Sequence, residues 1–125
     1  MTSPLAILNC YGPYWNRKFF WDRLLIGGLL TTPNLILGGD LNLTLNTLET
    51  WGTKVVLDPF ASHFKLLFDS VNLVDVDPLD VGPTWRNGRV GDDGISKRLD
   101  RFLLFSSLIP VLKFHHVWAH PTDMP

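Results

Sequence analysis

Residues 35–42 read Leu-Ile-Leu-Gly-Gly-Asp-Leu-Asn, and no other stretch restricts the fold as tightly. The apolar run is the signature of a buried strand. Two glycines follow, then Asp40 and Asn42, an acid and an amide two residues apart. A strand ending this way delivers a carboxylate and a carboxamide to a sheet edge, where they can hold a water, a phosphate or a Mg²⁺ ion. If the strand continues that far, its period of two puts both side chains on one face. The alternative is a turn capped by its own polar side chains.

The surrounding pattern supplies partners for that strand. Residues 4–11 carry Leu5, Ala6, Ile7 and Leu8 and end at Gly12-Pro13, which predicts a first buried strand. Residues 14–30 are a helix candidate, with Phe20, Trp21, Leu24 and Leu25 on one apolar face. Gly27-Gly28 weakens its end. Strand, helix, strand at this spacing implies a crossover unit of an α/β sheet. Residues 41–58 read as loop. Phe60, Phe64, Leu67 and Phe68 mark a short amphipathic helix over 60–70, and 71–76 a short strand. Residues 84–85 and 95–105 flank a glycine-rich turn and predict a hairpin. Residues 108–118 predict a turn and a last strand.

Composition narrows the class. The 125 residues suffice for one ordinary domain, and 46% hydrophobic with 18% charged residues indicates a globular chain. A net charge of −1 gives no global attraction to nucleic acid or anionic membrane. Arg86, Arg89, Lys97, Arg98 and Arg101 concentrate positive charge locally, diluted by Asp92 and Asp93. They suit a solvated hairpin or a phosphate-binding patch equally. Cys10 is the single cysteine and sits in an apolar run, as a buried strand thiol would. The longest apolar run, 24–30, is far short of the roughly 20 residues of a membrane span. With no signal-like N-terminus, the expectation is a soluble intracellular chain, with nuclear location left open. Trp85 and Trp118 are expected in the core rather than as base-stacking platforms. His63, His115 and His116 are expected to be structural or on the surface.

Four fragments line up in order. They are Asn9-Cys-Tyr11-Gly-Pro13, then Gly39-Asp40-Leu41-Asn42, then Thr84-Trp85-Arg86-Asn87 with Ser96-Lys-Arg-Leu-Asp100-Arg101, and last Thr122-Asp123-Met124-Pro125. This order resembles the endonuclease/exonuclease/phosphatase superfamily, especially the endonuclease domains of plant LINE-type (non-LTR) retrotransposons. The resemblance runs from Leu5 to Pro125 and implies a partial domain. The implied fold is the C-terminal part of a β-sandwich flanked by helices, four layers in the order α/β/β/α. The implied chemistry is Mg²⁺-dependent hydrolysis of a DNA phosphodiester, in which a water attacks phosphorus in line with the leaving oxygen. By the resemblance, Asp40 orients or activates that water, and Asn42 and Tyr11 offer hydrogen bonds to the phosphate. Asn9 and Thr84 support the site, Asp100 holds a histidine in its productive tautomer, and Asp123 sits near the metal. Tyr11 and Thr84 read equally as packing residues; for Asp100, between Arg98 and Arg101, the site is the preferred reading and a surface ion pair worth about 0–1 kcal/mol the alternative.

Two departures from the family pattern carry weight. The family closes on Ser-Asp-His-x-Pro or close to it, and Met124 falls where the catalytic histidine belongs. A thioether trades no proton near neutral pH. His120 lies four residues earlier, about 13 Å away along an extended strand. The family's N-terminal half, with an early Asn and the metal-binding Glu, has no counterpart before Leu5. The expectation is a remnant with impaired catalysis, doubtful Mg²⁺ binding and sheet surface left open to self-association. The alternatives are an active nuclease completed by a partner or by relocated residues, a non-enzymatic interaction fragment, and a lipid or phosphoinositide phosphodiesterase relative.

Overall fold

The computed structural model describes residues 4–54, 56–77 and 82–110. They form a mixed α/β structure of two sheets and two helices. Strand β1 (Ala6–Asn9), helix α1 (Arg17–Ile26) and strand β2 (Leu35–Asp40) make the expected crossover unit, with β1 parallel to β2. The helix is shorter than its apolar pattern, because Asn16 just before it takes a left-handed φ of 55° and Gly28 a φ of 84° after it. A 3₁₀ turn over Leu29–Thr31 follows.

Residues 41–58 are more ordered than a loop. A 3₁₀ turn at Thr47–Glu49 leads into β3 (Thr50–Trp51). Helix α2 (Ala61–Ser70) and β4 (Leu73–Val76) come next, within the expected segments. The hairpin forms from β5 (Trp85–Arg86) and β6 (Ser96–Lys97). The 95–105 run does not stay one strand. It breaks at Arg98-Leu99 and resumes as β7 (Asp100–Phe105) in the other sheet. At the break Arg98 is buried, with its guanidinium held by Glu49 and Asp75. The expected last strand lies outside the described residues beyond residue 110.

The larger sheet has the order β1-β2-β7-β4 and the smaller the order β3-β6-β5. Leu35, Leu37, Leu73 and Leu103 point to one face of the larger sheet and pack with Trp21 of α1 and Phe64, Leu67 and Phe68 of α2. Trp21 is fully buried, edge-on to Phe20 and Phe68. Cys10 is buried as expected. The opposite face carries Ile7, Val74 and Phe102, all exposed, Ile7 at 77%. Among the described residues no helix is long and apolar enough to cross a membrane.

Candidate functional site

Beneath the site lies a buried charge cluster. Glu49 Oε2 accepts from Arg98 Nη1 at 2.7 Å, and its Oε1 from Arg101 Nη2 at 2.9 Å. Asp75 accepts from Arg101 Nη1 at 2.8 Å and Arg98 Nη2 at 3.2 Å. Burial alone would push the Glu49 carboxyl up, but the two guanidinium groups and the Leu45 amide outweigh it and hold it below the usual carboxylate range. Arg98 and Arg101 therefore belong neither to a surface patch nor to an ion pair with Asp100. Their spacing of three does not mark one face of a strand, so no periodicity announces this cluster. It ties the 43–50 segment and β4 to the start of β7.

Directly above, β2 and β7 end opposite each other. The register pairs Asp40 with Asp100, and Asn9 with Gly38. Strand alternation puts Asn9, Asp40 and Asp100 on the face away from the helices. The ladder continues past β1, with Cys10 N donating to Gly38 O at 2.8 Å and Gly12 N to Asp40 O at 2.7 Å. Tyr11, two residues beyond Asn9, falls on the same face with its ring exposed. This close passage requires glycine twice. A Cβ on Gly39, whose φ is +130°, would lie 2.2 Å from Cys10 O, and one on Gly12 would lie 2.1 Å from Leu41 O.

Asn42 reaches the site by another route than strand alternation. The strand ends at Asp40, and Asn42 adopts a φ of 54°. Its amide N–H donates to Asp40 Oδ1 at 3.0 Å, a polar-capped turn that coexists with the delivery of both groups to one edge. Its Nδ2 donates to Gly12 O at 2.5 Å, and its carbonyl accepts from Arg17 Nη1 at 3.1 Å. A carboxamide has two N–H bonds, so one such bond leaves the other for a phosphate oxygen. Thr84 braces the far side. Its Oγ1 accepts from Leu99 N at 2.9 Å and Asp100 N at 3.0 Å, where the chain changes sheets.

Partial burial pushes the Asp40 carboxyl up, and the like charge of Asp100 adds to this against the opposing Asn42 hydrogen bond. Two acids directly opposite on paired strands repel. A cation between them, or a proton on one, removes that repulsion. Two carboxylates with waters and a phosphate oxygen suit Mg²⁺, which keeps several waters. No group of three or more metal-capable side chains occurs among the described residues. Asp123, Met124, His115, His116, Trp118 and His120 lie outside those residues. His63 Nε2 meets Asp22 Oδ1 at 3.0 Å, a contact between α1 and α2.

A groove of about 960 Å³ adjoins Asn42, lined by the start of α1, the loop before α2, and Trp85 and Lys97 of the hairpin. Trp85 is not a core residue. It is 41% exposed on β5, an edge strand of the small three-stranded sheet. The Tyr-Trp pair before α1 also lines this groove, and its exposure is invisible to a periodicity argument. The chain matches no family model, and no curated protein matches it.

Proposed function

We propose that the chain derives from a divalent-metal-dependent phosphodiesterase of the retrotransposon DNA-endonuclease kind, with cleavage impaired in these 125 residues. The observation that carries this reading is the Asp40–Asp100 pair, two carboxylates facing across β2 and β7 without a basic partner among the described residues. Facing acids on paired strands repel, and a cation bound between them would relieve that repulsion. Asn42, Tyr11 and Asn9 stand beside the pair, as hydrogen-bonding groups around a phosphate would. Asp40 orients the attacking water, Asn42 and Tyr11 hold the phosphate, and Asp100 orients a basic group. When bound, Mg²⁺ would polarise the phosphate and stabilise the leaving oxygen. In the finer form of the proposal the helix-covered sheet is one half of a four-layer α/β/β/α sandwich. Impairment follows from Met124, which stands where the resemblance implies a histidine and whose thioether cannot serve as acid or base.

Two measurements test this. Titration with Mn²⁺, followed by amide NMR, should broaden the Asp40, Asn42 and Asp100 signals first. Broadening centred elsewhere, or uniform, removes the metal site. A folded chain should not nick supercoiled DNA above an EDTA control. Mg²⁺-dependent nicking lost in Asp40→Ala would show a working enzyme and refute the impairment.

The open sheet face favours a second reading, a non-enzymatic interaction fragment. Ile7, Val74 and Phe102 are exposed together on it. Light scattering decides: a clean monomer at high concentration counts against it. A lipid or phosphoinositide phosphodiesterase would instead hydrolyse a soluble headgroup ester, a parallel assay on the same sample.

A further inference from the structure

The groove beside Asn42 combines two features that the carboxylate site does not explain. The first is aromatic surface left in water. Tyr14 and Trp15 are 75% and 78% exposed and meet edge-to-face, with ring centroids 5.4 Å apart. Trp85 faces the same groove, and the Lys97 ammonium lies 5.9 Å from its ring centroid. The second is a surplus of positive charge. Arg17 forks onto Asp58 at 2.8 Å, and among the lining residues Arg17, Lys18 and Lys97 outnumber Asp22 and Asp58 by one charge. Lys18 and Lys97 also line the groove and meet no carboxylate in a salt bridge among the described residues.

The aromatic pair is held on a firm base. Arg17, two residues after Trp15, forks onto Asp58 and also donates to Asn42 O, with its guanidinium 5.5 Å from the Phe60 and Phe64 ring centroids. Tyr14 and Trp15 are thus presented from an anchored helix start, while Arg17, which anchors it, also donates to the backbone carbonyl of Asn42.

From this we infer that the groove binds a single strand of nucleic acid, with bases stacked on Trp15 and Trp85 and phosphates near Lys18 and Lys97. Aromatic rings and cations lining one groove match the bases and phosphates of a single strand. A duplex hides its base faces within its own stack and offers the indoles little, whereas an unpaired strand exposes every base. Asn42 lines the groove and its amide N–H binds Asp40 Oδ1 at 3.0 Å, so a strand lying in the groove would pass beside that carboxylate. This names the substrate form for the proposed phosphodiesterase and rests on that reading for its direction. Binding itself needs no metal.

The test is tryptophan-fluorescence titration of the 125-residue chain in EDTA with a 12-residue oligodeoxythymidine, a 12-residue oligouridine, a 12-base-pair duplex and polyphosphate. The single strands should bind more tightly than the duplex, and polyphosphate should compete weakly. The tighter of the two single strands identifies DNA or RNA as the source. Trp15→Ala should weaken binding about tenfold, and Trp15→Phe less. Circular dichroism confirms that each variant is folded, and Trp85→Ala provides a second, independent loss. Equal binding of polyphosphate, a tighter duplex, affinity unchanged in both tryptophan variants, or capture by phosphatidylserine vesicles in place of the oligonucleotides would overturn the inference. Because the titration is done without metal, single-strand binding with no Mn²⁺ site leaves the groove standing and removes the phosphodiesterase reading. A Mn²⁺ site without strand binding does the reverse.

Discussion

Replacing Glu49 by glutamine should destabilise the fold by about 3 kcal/mol. In the native cluster, Arg98 and Arg101 are balanced by Glu49 and Asp75, and all four contacts fall between 2.7 and 3.2 Å. Glu49→Gln leaves one net positive charge in a region where both guanidinium groups are almost fully buried. Removing one partner of a buried pair costs about 3–5 kcal/mol; here Asp75 still binds both arginines and Asp77 lies 3.4 Å from Arg98 Nη1, which limits the loss. Glutamine keeps one acceptor oxygen, which places it at the lower end. Asp75 is more open, with its side chain 20% accessible, so water can replace part of what Asp75→Asn removes. That variant should lose about 1–2 kcal/mol. Urea unfolding at pH 7, followed by far-UV circular dichroism, gives both values, with an unchanged m-value showing that only stability moved. The Glu49 carboxyl is held below its unfolded value of 4.5. Its contribution is therefore present above that pH and lost as the pH falls through the lower folded value. The gap between wild type and Glu49→Gln should close in acid. A gap under about 0.5 kcal/mol at pH 7, or a larger loss in Asp75→Asn, would refute the reasoning that burial sets the cost.

The remaining predictions concern the site. Gly39→Ala should lower the urea midpoint sharply, since its Cβ would strike Cys10 O at a backbone φ of +130°; an unchanged midpoint would show that the crossing is not tight. Thr84→Val should cost only about 0.5–1 kcal/mol, because Thr84 and Asp100 are exposed and water can replace part of the lost hydrogen bonding to the Leu99 and Asp100 amides, with Thr84→Ser restoring most of it in the same assay. Asp40→Asn should raise stability at pH 7, because burial and then Asp100 hold the folded carboxyl above its unfolded value of 3.8. A raised acid binds its proton more tightly when folded, so ionisation costs stability as the pH rises past the unfolded value. The gain should vanish below that pH, and a lower midpoint at pH 7 would exclude the repulsion. Burial pushes the Cys10 thiol up, so iodoacetamide should label it far more slowly in the native chain than in urea; equal rates would place the thiol at the surface.

Hydrophobic order along the chain was enough to locate β1, β2, α2 and β4, because each is short, apolar on a clear period and bounded by turn residues. The same reading placed Asp40 at the end of a buried strand and Cys10 in the interior. Strand pairing could not be read there. Asp40 and Asp100 are sixty positions apart, and only the β2–β7 register sets them face to face. Asn42 joins them through a left-handed turn rather than by alternation, a consequence of its contacts with Gly12 O and Arg17. Arg98 and Arg101 read as surface cations, since nothing local shows Glu49 and Asp75 converging on them. Trp85 read as core because tryptophan usually is; its exposure depends on which elements cover β5. Local sequence determines which segments become strands and helices through side-chain periodicity. Which charges are buried together, and which aromatics stay in water, is decided by long-range pairing, because solvation depends on every element that packs nearby.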